Sequence, residues 1–466
     1  MSRLTRAAGA FAAIFVLLGV TSCSDGDGGG GEGGDTNKIV VWTGDTIPDR
    51  VAKSKAIIAK FTEKTGIQVE LVGVDEDQFN QLLTSAAAAG ELPDVVGTQP
   101  LAAIRTLSAN DLLNTDATAA IIESLGADTF SARSLELTRE GETQLAVPSD
   151  AWSQVLYYRK DLFEAKGLKA PQTYDDVMAA AKALDSPKVA GFVGATTPGD
   201  AFTQQTFEHL ALANGCQMVD QAGEVTMESP QCVAAFQFYG DLIKNYSVSG
   251  TQDVDTVRAA YFAGQSAMAV WSTFLLDELA GLRNDAKPSC AECKKDPEFL
   301  AKNTGVVPAI TGPDGTEPAQ FGEVSSWAIT TTGAAEPSQK FIEYMLSDGY
   351  TDWIAIAPEG KFPVRSGTAE KPTEYVDAWQ DLEVGVDTKA PLSKFYPQEV
   401  IDILSSGADK FSRWGITQGQ GDLIGASLGE LPVPKAIGAL TGGQVDAAGA
   451  AKQAADELRT IKKSLE

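Results

Sequence analysis

Between Lys38 and Gln99 the hydrophobic period switches back and forth, and that alternation leaves very few architectures open. KIVVWTGD is a β-branched run suited to a buried strand. RVAKSKAIIAKFTEKTG follows, with Ile57, Ile58 and Phe61 on one helical face and Gly66 placed to stop the helix. IQVEL alternates Ile67, Val69 and Leu71 as a second strand. DQFNQLLTSAAAAG predicts a helix ending at Gly90, and LPDVVG starts a third strand. Strand, helix, strand, helix, strand at this spacing predicts a parallel sheet flanked by helices.

The rest of the chain keeps to that logic. QLAVPSDAWSQVLYYRKDLF reads as strand, short break, strand. Thr173 is placed to cap the helix TYDDVMAAAKALD, with Asp176 as its capping-box partner. FTQQTFEHLALANG, CVAAFQFYGDLIKNY, PSQKFIEYMLSD and VDAAGAAKQAADELRTIKKSLE predict further helices; TGVVPAI and SSWAITT predict strands. No short repeat recurs. The expected class is α/β, in two lobes.

Ahead of this body stands a different kind of segment. Arg3 and Arg6 open the chain, and Ala7–Val20 is an apolar run of 14 residues, short for a bilayer span and suited to a secretory signal. Val20-Thr21-Ser22-Cys23 resembles the lipobox of bacterial lipoproteins, so residues 1–22 are expected to be a signal peptide and Cys23 the site of lipidation. The alternative is an ordinary signal with an incidental cysteine. Residues 23–36 are rich in glycine and poor in apolar side chains, which predicts a flexible tether. A GxGxxG pattern inside them has no strand before it and no helix after it, and is discounted.

The formal net charge is −26, and loss of Arg3 and Arg6 with the signal would make it more negative still. Such a surface is unfavourable for nucleic acid or anionic lipid. No later segment is apolar enough to cross a membrane, so the body is expected to be soluble and exported. With Cys23 set aside, Cys216, Cys232, Cys290 and Cys293 form an even set, which in an oxidising compartment suggests disulfides. Three pairings are possible, of which 216–232 with 290–293 is the simplest. A zinc site built from CAEC and the other two is the alternative, with no histidine nearby.

Catalytic motifs are scarce. His209 is the sole histidine and is read as a packed or surface residue. GASLG, residues 425–429, fits the nucleophile-elbow pattern, but no histidine follows Ser427 to complete a triad. HExxH, Walker and EF-hand patterns are missing, and the CxxC lacks a redox βα setting. Paired carboxylates could serve a carbohydrate-active hydrolase, and with 63 acidic residues some pair is always at hand. A binding surface is better marked. Trp152, Trp271 and Trp414 keep polar company, whereas Trp42 and Trp327 sit in apolar strands. Aromatic faces beside carboxylates suit a pyranose, at about 0.5–1.5 kcal/mol per ring by analogy with aromatic pairs.

The ordered set IVVWTGD, FTEKTGIQVEL, AAAGELPDVV, YYRKDLF, APQTYDDV, YFAGQSAMAV, VSSWAI, KFIEYMLSD and KFPVRSG resembles the extracellular solute-binding proteins of ABC importers, in the sugar-binding family typified by the maltose-binding protein. The resemblance covers most of residues 38–466. It implies a type II periplasmic-binding-protein fold: two lobes, each a mostly parallel sheet flanked by helices, joined by a hinge. Lobe 1 would comprise residues 37–147 and 305–357, and lobe 2 residues 148–304 and 358–466. Crossings are expected near 146–149, 303–307 and 355–362.

It also implies site residues. Asp45, and Glu76 and Asp77 at a helix start, would meet sugar hydroxyls; for the last two, compensation of the helix dipole is an equal reading. Thr98 and Gln99 would face the cleft, and Trp152 would lie just past the hinge. Gln204, Gln205 and Glu208 occupy the matching second-lobe segment. Trp271 and Phe274 stand where a stacking tryptophan is usual, and Trp414 resembles a late aromatic of the second lobe. Tyr157 and Tyr158 could indicate a ferric-ion binder, though packing is favoured. The implied function is reversible capture of a neutral mono- or oligosaccharide and delivery to a permease driven by a cytoplasmic ATPase. The expected protein is a monomer, without cofactor or metal, anchored at the outer face of the cytoplasmic membrane. The alternatives are a hydrolase, a binder of another solute, or a structural or signalling lipoprotein.

Overall fold

The computed structural model describes residues 37–405 and 407–466; the expected signal peptide, Cys23 and the expected tether lie outside the described residues. β1 (Lys38–Thr43), α1 (Pro48–Thr65), β2 (Gln68–Gly73), α2 (Glu76–Ala89), β3 (Val95–Gln99) and α3 (Leu101–Ala109) open the body. β1 lies between β2 and β3, parallel to both. Ile57, Ile58 and Phe61 are buried, and Gly66 at φ 77° ends α1 in a conformation that a residue without Cβ adopts at little cost. β2 is the edge strand; its Val69 and Leu71 are half-buried, while Ile67 is buried just ahead of it.

The later strands of the large sheet are β4 (Val147–Arg159), β5 (Met268–Ser272), β6 (Thr304–Val307), β7 (Gln320–Ile329), β8 (Phe362–Pro363) and β9 (Phe411–Ser412). β4 is one continuous strand of 13 residues, not strand, break and strand. Pro148 does not interrupt it. Instead the pairing with β7 shifts register between Pro148 and Asp150, so the irregularity is absorbed as a bulge. The main sheet runs β2-β1-β3-β7-β4-β8. Residues 147–153 of β4 lie against β7, while residues 154–159 pair with β5 and β6. β4 therefore links two sheet regions, and β7 returns from it to β3. Residues 305–307, assigned to the first lobe from sequence, pair with residues 156–158 of β4.

The helices used below are α4 (Tyr174–Leu184), α5 (Ala201–Ala213), α6 (Pro230–Tyr246), α7 (Leu275–Leu279), α8 (Ala335–Met345), α9 (Gly421–Glu430), α10 (Pro432–Thr441) and α11 (Ala447–Leu465). Thr173 and Asp176 form the capping box of α4. α11 packs on α6, α9 and α10, and α9 packs on α3. Ser427 is buried in α9 with its hydroxyl on the Ile424 carbonyl, so GASLG forms helix and no elbow. Cys216 is joined to Cys232 and Cys290 to Cys293. Among the described residues no helix is long and apolar enough to cross a membrane.

Candidate functional site

Three segments bring charge together: the loop after β1, Asp150 near the start of β4 and the turn before β8. The Asp45 carboxylate lies 3.8 Å from Arg50 and 4.0 Å from Lys361. Lys361 reaches Asp150 at 3.5 Å and stands over the Trp353 ring at 4.1 Å. Asp150 also accepts from Trp353 Nε1 at 2.9 Å and from Ser149 Oγ at 2.7 Å. Arg50 lies 4.0 Å from Glu359. Thr98, at φ 59°, ties the site's floor together, accepting the Gly44 N–H at 2.9 Å. Gln99 is buried, its amide turned back onto the Gly97 carbonyl.

Aromatic surface adjoins this charge. Trp152, half-buried on β4, lies 6.3 Å from Phe274 and 5.8 Å from Phe321 between ring centroids. Arg50 sits 5.1 Å from the Phe274 centroid. Gly360 is pressed against the same ring, so closely that a Cβ there would come within 2.1 Å of it. Phe274 thus holds the Glu359-Gly360-Lys361 turn in place.

Behind Trp152 is a second charged group. Arg413 lies between Glu208, at 3.3 Å, and Glu323, in direct contact. Glu323 accepts the Leu101 N–H at 2.9 Å, and Glu208 accepts the Trp414 N–H at 2.8 Å. Burial pushes the Glu208 carboxyl up, against the pull of Arg413. Asp277, on α7, is enclosed with both oxygens lacking a hydrogen-bond partner among the described residues. Burial, with Glu359 and Glu278 adding repulsion, pushes it well above the ordinary carboxylate range; burial likewise raises Glu359.

The residues expected from sequence therefore divide. Trp152 meets Phe274, Arg50 links Phe274 to Asp45, and Thr98 bonds to Gly44 next to Asp45, whereas the buried Gln99 is turned onto Gly97. Gln205 accepts from Gln154 on β4 at 3.4 Å, and the buried Gln204 has a free Oε1 among the described residues. Glu208 is engaged by Arg413. Trp271 and Trp414 are buried, and their indole N–H groups bond to the Val254 and Cys216 carbonyls. Glu76 and Asp77 begin α2, and their side chains lie outside what the structure describes. Arg50, Asp150, Glu323, Glu359, Lys361 and Arg413 were not singled out from sequence. The one available signal was the charged triplet Glu359-Gly360-Lys361 inside a stretch read as a chain crossing.

Tyr157 and Tyr158 do not converge. Tyr157 is buried with its hydroxyl on the Ser272 carbonyl, whereas Tyr158 lines a cavity of about 590 Å³ with Lys160, Gln172, Glu399 and Lys410. No cluster of three or more His, Cys, Asp or Glu is placed to hold a metal among the described residues.

Residues 44–352 match the family model for the bacterial extracellular solute-binding protein. YcjN of Escherichia coli (strain K12), a periplasmic-binding protein assigned to an ABC transporter, is 27% identical over 434 residues, 91% of this chain and 94% of the relative. The maltose-bound MalE3 of T. maritima superposes with a TM-score of 0.69 at 20% identity, over 91% of this chain and 99% of that one. A sugar transporter protein of Arthrobacter chlorophenolicus A6 with bound laminaribiose gives 0.69 at 17% identity, with the same coverage of each. These likenesses establish the fold as the two-lobed type II arrangement.

Proposed function

The chain belongs to the bacterial extracellular solute-binding proteins, and on that premise we propose that it captures a neutral mono- or oligosaccharide between its two lobes and hands it unchanged to a membrane permease. Membership in that family makes it the solute-binding protein of an ABC transporter, not an enzyme. The observation that carries the sugar reading is the Trp152–Phe274 pair beside Arg50, which lies within 4.0 Å of the Asp45 and Glu359 carboxylates. Aromatic faces stack on the C–H side of a sugar ring, and carboxylates accept from its hydroxyls. Two of the structural neighbours hold maltose and laminaribiose, which supports the same class.

β4 and β7, which run from one sheet region to the other, are assigned as the connections on which the lobes move. On this reading the return to the first lobe follows β7 at residues 320–325, and 304–307 stay with the second lobe. Solute shifts the open–closed balance only through its preference for the closed state. Cys23 would carry the lipid, residues 24–36 would tether the body to the outer face of the membrane, and a permease with its cytoplasmic ATPase would receive the solute. Tryptophan fluorescence against maltose, laminaribiose and a wider sugar panel tests the reading. Saturable quenching or enhancement by a sugar supports it, and a response only to non-sugar solutes contradicts it.

A further inference from the structure

The cavity of about 590 Å³ beside Tyr158 shares no residue with the Asp45, Arg50, Trp152 and Phe274 group. Its volume lies in the range of small-molecule sites, roughly 300–1,000 Å³. Early and late parts of the chain build it together. β6 and the turn after it supply Val306 and Pro308, and the helix Gln398–Ser405 supplies Val400 and Ile403. One side of the cavity is therefore apolar.

Three ionisable side chains line the same cavity: Lys160 just past β4, Lys410 just ahead of β9, and Glu399 on the late helix. None of the three makes an ion pair or a side-chain hydrogen bond among the described residues. Arg50, Lys361 and Arg413, by contrast, each have carboxylates within 4.0 Å. Tyr158 adds a hydroxyl and little else. Its ring is packed: a Cβ on Gly305 would come within 2.2 Å of it, and the Phe163 centroid lies 4.8 Å away. Burial, with Glu399 and Glu164 opposing a phenolate, raises the Tyr158 phenol, so the hydroxyl stays a donor. Both signs of charge thus face one space without pairing across it.

We propose that this cavity is a second ligand site, which takes a zwitterion with an apolar body: an apolar amino acid or a short peptide. The ligand's carboxylate meets Lys160 or Lys410, and its ammonium meets Glu399. Its side chains lie on Val306, Pro308, Val400 and Ile403. Hydrogen bonds with charge on both partners are the stronger kind, and a zwitterion makes them at both ends. A pyranose brings no charge to these groups and finds the Tyr158 ring already packed. A plain carboxylic acid leaves Glu399 unmatched. The site stands or falls independently of the sugar reading above.

Calorimetric titration of the full chain with the dipeptide Leu-Leu tests this, with its N-acetylated and C-amidated forms alongside. Leu-Leu should saturate one site, and each capped form should bind about tenfold or more weakly, the worth of one charged hydrogen bond. Glu399→Gln should weaken Leu-Leu to a similar degree and leave the acetylated form as it was. Lys160→Gln combined with Lys410→Gln should weaken Leu-Leu and leave the amidated form as it was. Failure of Leu-Leu to bind, or binding indifferent to these substitutions, overturns the site. A sugar that binds should bind equally with Leu-Leu present. Displacement of one by the other would put the dipeptide at the Trp152–Phe274 site and overturn the second one.

Discussion

The Arg50 guanidinium lies 5.1 Å from the centre of the Phe274 ring and within 4.0 Å of both Asp45 and Glu359. One cation of α1 thus meets the aromatic and the acidic parts of the site at once.

Trp152→Ala and Phe274→Leu should each weaken sugar binding. Stacking of about 0.5–1.5 kcal/mol per ring corresponds to roughly 2- to 13-fold in Kd. Calorimetry on each variant checks this, with thermal unfolding run alongside to show that the fold is intact. Unchanged affinity in both would remove the aromatic pair from the site.

Trp271→Ala and Trp414→Ala should behave differently. Both indoles are buried and bonded to backbone carbonyls, so truncation opens a cavity and frees a carbonyl. A loss of about 3–5 kcal/mol in unfolding free energy is expected for each, measured by urea denaturation. A variant with parental stability and lost binding would make that tryptophan a ligand contact.

These two residues mark where local reading stops. The opening β1–α1–β2–α2–β3 order was legible because period and stop signals are local, and so was the Thr173–Asp176 capping box. β4 was not legible as one strand, since Pro148 and the following Ser149-Asp150 look like a break and only the partner β7 absorbs the register shift. Trp414 has Arg413 as its neighbour and so keeps polar company in the sequence. Yet Arg413 is itself buried between Glu208 and Glu323, far away in sequence. Lys361 and Asp45 are likewise brought together only by the fold. A charge whose partner is hundreds of residues away leaves no periodic signal.

The Glu208–Arg413–Glu323 group offers a stability test. Burial opposes the Arg413 charge, and Glu323 and Glu208 together outweigh it, raising its pKa. Arg413→Met leaves two enclosed carboxylates without their cation and should cost about 3–5 kcal/mol. Adding Glu208→Gln and Glu323→Gln should recover part of that loss. Urea midpoints of the single and triple variants check it, and a triple variant no more stable than the single contradicts it.

Acid sensitivity follows from His209. Its folded pKa, about 3, lies below the ordinary value of 6.5, so the unfolded chain binds the extra proton between those limits. Its contribution to stability is complete above about pH 6.5 and is lost as pH falls, by at most about 1.4 kcal/mol per unit. Glu208, Asp277 and Glu359, raised by burial, act in the opposite sense, because the folded state holds their protons more firmly. His209→Gln isolates the histidine. Between pH 4.5 and 6.5 the parent should gain stability relative to the variant, and parallel curves would contradict this.

Calorimetric titration of the purified protein with the sugar panel, with the sugar recovered and chromatographed afterwards, bears on the whole scheme at once. Saturable one-site binding of at least one mono- or oligosaccharide, recovered intact and bound more weakly by Trp152→Ala, is the expected result. A panel without a binder, or a sugar returned in fragments, would contradict capture and release between the lobes.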